Sequence, residues 1–181
     1  MNGEFSPLIS ALGNVIVEDD GFERIVDLAK AARETQTVFF IGNGGSAAIA
    51  SHMACDWGKN GRFAALCFND GSAMSCLAND LGYERVFSDP LERHCKEGDI
   101  VFAISSSGLS MSIVEAAWTA KTNGAIVVTL SGFTPDNRLR NEGDVNFYVP
   151  SRRYGVVEIT HLAILHAILD KVMNVDAKAA A

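Results

Sequence analysis

No two cysteines in this chain have the spacing of a redox or metal motif. Cys55, Cys67, Cys76 and Cys95 stand apart among mostly apolar neighbours, so reduced thiols in a cytoplasmic protein are expected. No stretch approaches the ~18 consecutive apolar residues of a membrane span. The segment Met1 to Phe5 is not basic, and no apolar segment with a small-residue cleavage site follows it, which reads against a secretory signal. Clustered positive charge is missing too: 15 Lys and Arg face 22 Asp and Glu, a net charge of −7. That balance disfavours nucleic acid as a partner, because its phosphates need concentrated Lys and Arg. A small anion is not excluded, since backbone N–H groups hold a phosphate without a cation.

Apolar residues make up 48% of the 181 positions and charged residues 20%, the balance of a single globular unit. Apolar positions recur at helical spacing from Pro7 to Val17 and again from Phe22 to Thr35, predicting two N-terminal helices. Residues 1–35 are therefore expected to be a helical extension serving a partner subunit, residues 36–175 the main domain, and residues 176–181 a frayed tail. Short apolar runs follow at 38–41, 63–68, 99–104, 125–130 and 145–149. Helical sequence separates them at 47–57, 72–78, 83–95 and 110–122, and a long helix closes the domain at 156–172. Four or five strands alternating with helices predict an α/β fold with a parallel sheet covered on both faces. Asn123-Gly124 has the chemistry of a left-handed helix stop.

Two strand-to-helix junctions carry unusual loops. Gly42-Asn43-Gly44-Gly45-Ser46 follows the first apolar run. Its glycines allow close backbone approach, and the helix start offers unpaired N–H groups. It lacks the Gly-Lys-Ser/Thr of a Walker loop, and Ala47 stands where the dinucleotide fingerprint has its last glycine. Ser105-Ser106-Ser107-Gly108-Leu109-Ser110 occupies the same context after the run at 99–104. Each loop alone is compatible with plain turn and capping chemistry, with Ser46 as a helix cap in the first. Two of them at the ends of buried strands point to a ligand outside the C-terminal edge of the sheet.

Helical spacing also gathers titratable groups. His52 and Asp56 are four apart and share a helix face. Glu158 and His166 are eight apart, roughly 80° of rotation and ~12 Å of rise, so both can lean toward a point between them. His161 lies about 140° from His166 and is not expected to share its site. Two helices would present His52, Asp56, Glu158 and His166 to one pocket. That set suits zinc or a similar divalent ion, and it equally suits proton transfer between adjacent sugar atoms. Taken singly, each residue also fits a packed or solvated position.

The order and spacing of Gly42-Asn43-Gly44-Gly45-Ser46 with His52, Ala78-Asn79-Asp80-x-Gly82-Tyr83, Ile104-Ser105-Ser106-Ser107-Gly108-x-Ser110 and His161-x4-His166 resemble the sugar-isomerase (SIS) domain. More narrowly they resemble the phosphoheptose isomerase family. The resemblance covers nearly the whole chain. It implies a flavodoxin-like three-layer sandwich and a homotetramer with active sites at subunit interfaces. It implies substrate binding by Asn43, Gly44, Ser46, Asn79, Asp80, Ser105, Ser106, Ser107, Ser110 and Glu158. It further implies catalysis by Asp56 and His166, with zinc or another divalent metal on His52, Asp56, Glu158 and His166.

Two positions depart from the family. Its glutamate on the glycine-loop helix is Asp56 here, which retracts the carboxylate by roughly 1.5 Å, and a misplacement of about 1 Å can cost ~100-fold in rate. Its glutamine on the last helix is Glu158 here, which favours a cation and repels a nearby phosphate. The expected activity is aldose–ketose isomerisation of sedoheptulose 7-phosphate to D-glycero-D-manno-heptose 7-phosphate, feeding lipopolysaccharide or capsule assembly. Isomerisation of another sugar phosphate is the first alternative. A non-catalytic phosphosugar-binding role, known among SIS proteins that lack the last histidine, is the second; the presence of His166 favours the enzyme.

Overall fold

The structure is a computed structural model describing residues 2–174, apart from Asp19 and Arg33. The expected tail at 176–181 lies outside the described residues. Six strands form one sheet: β1 (Ile16–Val17), β2 (Thr37–Gly42), β3 (Ala64–Cys67), β4 (Ile100–Ser105), β5 (Ile126–Gly132) and β6 (Val145–Val149). Their spatial order is β1-β6-β5-β4-β2-β3. The pairs from β3 to β6 are parallel, and β1 joins β6 antiparallel. Among the described residues seven α-helices accompany them, α1 (Asn2–Gly13), α2 (Gly21–Ala32), α3 (Gly45–Lys59), α4 (Gly71–Leu81), α5 (Arg85–His94), α6 (Met111–Thr122) and α7 (Tyr154–Met173), with a short 3₁₀ turn at Arg138–Asn141.

Alternation along the strands explains the layering. In β2, Val38 and Phe40 face one core while Phe39 and Ile41 face another. The first core also takes Phe102 from β4 and the apolar faces of α2, α3 and α7; the second takes Val101 and Ala103 with α5 and α6. Strands buried on both faces read as unbroken apolar runs, which is why the sequence marks β2 and β4 so clearly.

Two expectations are corrected. The segment Pro7 to Val17 is not one helix: α1 ends at Gly13 and Ile16–Val17 pairs with Tyr148 and Phe147. The sheet therefore has six strands with one antiparallel edge. Pro90 lies buried inside α5. The expected stop after α6 is present, with Gly124 at φ +82° and its N–H bonded to the carbonyl of Lys121 at 3.0 Å. The N-terminal helices also contact their own chain, since α1 and α2 both pack against α7.

Candidate functional site

The glycine loop leaves β2 and enters α3 through Gly44, whose φ of +55° favours glycine. Ser46 is not the helix cap. It sits in the first turn of α3, buried at 3% exposure, and its N–H bonds the carbonyl of Asn43 at 3.0 Å. The Asn43 amide is fixed from two sides: Tyr83 Oη donates to Oδ1 at 2.7 Å, and Nδ2 donates to Ser112 Oγ at 2.9 Å. That second bond ties the glycine loop to the first turn of α6, where the serine loop ends.

The serine loop turns on hydroxyls and on Gly108. The Gly108 N–H bonds both the carbonyl oxygen and Oγ of Ser105, at 3.0 and 3.2 Å. Gly108 has φ +65°, and a Cβ there would collide with the buried Asn137 side chain. Asn137 in turn donates to Ser131 Oγ at 3.0 Å, bracing the loop against the end of β5.

Both loops line one cavity of about 250 Å³, as the two strand ends imply. Asn43, Gly44, Ser46, Ser105, Ser106, Ser107, Ser110 and Glu158 all reach it, together with Gly45 and Tyr154. Among the described residues no Lys or Arg lines it, and Glu158 is its one charged side chain. Ser106 Oγ is buried there without a hydrogen-bond partner. An orphaned hydroxyl of this kind costs ~1–3 kcal/mol of desolvation, and an acceptor oxygen in the cavity would satisfy it. A volume below the ~300 Å³ usual for small-molecule pockets suits a phosphoryl group and its adjoining carbons better than a whole seven-carbon sugar.

The second part of the site lies along α3 and α7. Trp57, wholly buried against Phe40, Phe102 and Phe63, anchors α3. His52 and Asp56 are left on the side facing α7. His52 Nε2 lies 3.3 Å from His166 Nε2 and 3.5 Å from Asp56 Oδ2, and His166 Nδ1 lies 3.9 Å from the same carboxylate oxygen. Two ring nitrogens this close need a proton or a cation between them, because two imidazole lone pairs repel. One ligand atom from each of His52, Asp56 and His166 falls within 4.8 Å of the others. Two imidazoles and a carboxylate fit a zinc-type ion with an open position for substrate or water.

The four expected ligands do not form one cluster. Glu158 points to the glycine loop, where a Cβ on Gly45 would meet both carboxylate oxygens at 2.5 Å. The eight-residue separation explains this: the ~12 Å rise lets one side chain reach the loop and the other reach His52. Asn79 and Asp80 are at the exposed C-terminal end of α4 and are not among the cavity-lining residues. Asn79 Nδ2 bonds Asp80 Oδ1 at 2.7 Å. His161 stays apart, as expected. It is fully buried, and its Nε2–H donates to the Ser131 carbonyl at 3.1 Å. Burial lowers its pKa from 6.5 to about 4, so it is neutral near pH 7.

Sequence reasoning missed Ser112, Asn137 and Tyr154, and it met Tyr83 only as part of the family motif, with no role attached. For Tyr154 a signal existed: it is one helical turn before Glu158 and so shares its face.

A sheet read at its C-terminal edge, two phosphate-type loops and a histidine–carboxylate cluster define a sugar-phosphate domain. Residues 16–132 match the SIS domain, and the chain belongs to that family. Within it, the phosphoheptose isomerase of Mycobacterium tuberculosis (strain ATCC 25177 / H37Ra) is 38% identical over 141 residues, covering 75% of this chain and 71% of the relative. The Proteus mirabilis phosphoheptose isomerase is 31% identical over 179 residues, covering 93% of each. The structure of the Neisseria gonorrhoeae phosphoheptose isomerase matches with a TM-score of 0.83 and 27% identity, over 94% of this chain and 95% of that one.

Proposed function

We propose that this chain is an aldose–ketose isomerase that converts sedoheptulose 7-phosphate to D-glycero-D-manno-heptose 7-phosphate. The observation that carries the reading is the shared scaffold of the two site parts: α3 and α7 border the loop cavity through Ser46 and Glu158 and also carry the His52–Asp56–His166 cluster. The loops hold the distal phosphoryl group by N–H and O–H donation. The sugar chain then runs along α7, whose ~12 Å rise from Glu158 to His166 spans an extended seven-carbon skeleton. Asp56 takes the proton from the carbon beside the carbonyl to give an enediol, with Glu158 as the second candidate base. His166 gives the carbonyl oxygen a proton as the enediol forms and takes up the C1 hydroxyl proton as the first proton is returned to C2, so protons and charge balance over the cycle.

His52, Asp56 and His166 would hold zinc or a similar ion, which supplies polarisation of the sugar oxygens when bound. Glu158 would join the substrate contacts and not that ligand set. In the proposed homotetramer with interfacial active sites, the exposed α4 would bring Asn79 and Asp80 toward a neighbouring subunit's substrate. The compartment proposed is the cytoplasm, with the product serving lipopolysaccharide or capsule assembly. Among the described residues no helix is long and apolar enough to cross a membrane.

The purified protein incubated with sedoheptulose 7-phosphate should yield an aldose phosphate. Chelation should stop the reaction and added zinc restore it. An unchanged ketose in the presence of zinc would overturn the assignment. The carboxylate of Glu158 in the cavity favours one further reading, a different ketose phosphate, and a substrate panel in the same assay separates the two.

A further inference from the structure

We infer that Tyr154 is a substrate-binding residue of the loop cavity, its phenol donating a hydrogen bond to a phosphoryl oxygen. This rests on the sugar-phosphate reading of that cavity. Tyr154 opens α7 and lines the cavity together with the strand-end loops. Its side chain is 60% exposed, so core packing does not account for it. Its hydroxyl makes no hydrogen bond to the protein among the described residues, which leaves it free to donate to a ligand.

The ring is nevertheless held. Phe133 meets it edge to face, with centroids 4.9 Å apart and planes at 71°. Phe133 itself has φ +63°, a backbone state rare for a bulky side chain and concentrated at functional sites. Its N–H bonds the Ser151 carbonyl at 2.9 Å, and its own carbonyl accepts from Tyr148 Oη at 3.2 Å. Two anchors thus keep an unfavourable backbone in place, and the ring it presents positions Tyr154. The chemistry also asks for such a donor. A cavity without Lys or Arg, and with one carboxylate, must bind a phosphoryl group through neutral donors. One more O–H is a gain there, since it adds a donor to an anion that no cation meets.

The test is calorimetric binding of sedoheptulose 7-phosphate, and of inorganic phosphate as the minimal probe, to the wild type, Tyr154→Phe and Tyr154→Ala. Loss of the hydroxyl alone should weaken both ligands about fivefold, the order of one neutral hydrogen bond. Loss of the ring as well should weaken them further. Tyr154→Phe binding as tightly as the wild type overturns the assignment, whatever the alanine variant does. A wild type that binds neither probe ends the sugar-phosphate reading and this one with it, which separates the two failures.

Discussion

At the strand ends a ligand would meet backbone amides and serine hydroxyls; two turns along α7 it would meet imidazole and carboxylate. The loop cavity is lined mostly by neutral groups, with Ser46 and Ser106 buried at 3% and 5% exposure. The histidine cluster is half open, with His52 and His166 side chains 51% and 38% exposed. The contrast teaches a division of labour. Neutral donors preorganised by a sheet bind without moving protons, while groups that titrate or take a cation do chemistry and need access to the reacting atoms.

The largest expected effect separates the two parts. Replacing His166 by Ala should lower kcat by about 1,000-fold, within the range of general acid–base catalysis. Phosphate affinity should stay within about twofold of the wild type, because the loops do not depend on that imidazole. A matched loss of binding in calorimetry would show that the two regions are one, and the division would fail.

Next comes Ser106→Ala. It removes the orphaned hydroxyl, so it should weaken sugar-phosphate binding about tenfold, a little more than a typical hydrogen bond because the donor is already desolvated. It should also raise thermal stability slightly in the ligand-free protein, where the unpaired group is a burden. Unchanged affinity together with unchanged melting would mean that the hydroxyl is satisfied elsewhere.

How far the sequence reveals this division differs between the regions. The loops were legible because glycines and serines stand directly after strands whose apolar runs are continuous, and chain order alone places them together at one sheet edge. The helix-borne groups were only half legible. His52 and Asp56 share a face by spacing, but the 80° between Glu158 and His166 leaves open which neighbour each reaches. The packing of α7 across both the loops and α3 resolves it. The strand Ile16–Val17 was hidden for another reason. Two residues carry no periodicity, and their identity as a strand comes from pairing with β6, some 130 positions away. Asn79 and Asp80 rested on family resemblance, and nothing in one chain's packing brings α4 over the cavity.

Glu158→Gln sharpens the comparison from the opposite direction. It removes the one charge lining the loop cavity and should tighten inorganic phosphate binding about fivefold, the order of a like-charge repulsion of ~1 kcal/mol in a partly solvated site. The turnover of sedoheptulose 7-phosphate should respond separately, falling if Glu158 is the base. Weaker phosphate binding in the variant would mean that the carboxylate assists the anion through a bound cation.

The effect that leaves the site itself untouched concerns His161, the histidine of α7 removed from both parts of the site. Its folded pKa of about 4 lies below the 6.5 of an unperturbed imidazole because burial penalises the cation. Above pH 6.5 the folded and unfolded chains are both neutral at this residue, and its contribution to stability is whole. Between 6.5 and 4 the unfolded chain takes up a proton that the folded one refuses, so stability falls as pH falls, by up to about 3 kcal/mol in all. His161→Gln keeps an amide N–H for the Ser131 carbonyl without a titrating group. Urea unfolding at pH 7 and pH 4.5 should therefore show a smaller acid loss for the variant than for the wild type, with catalysis at pH 7 governed by His166. Equal acid losses would mean that His161 takes up its proton alike in the folded and unfolded chains, and that its burial does not hold it neutral.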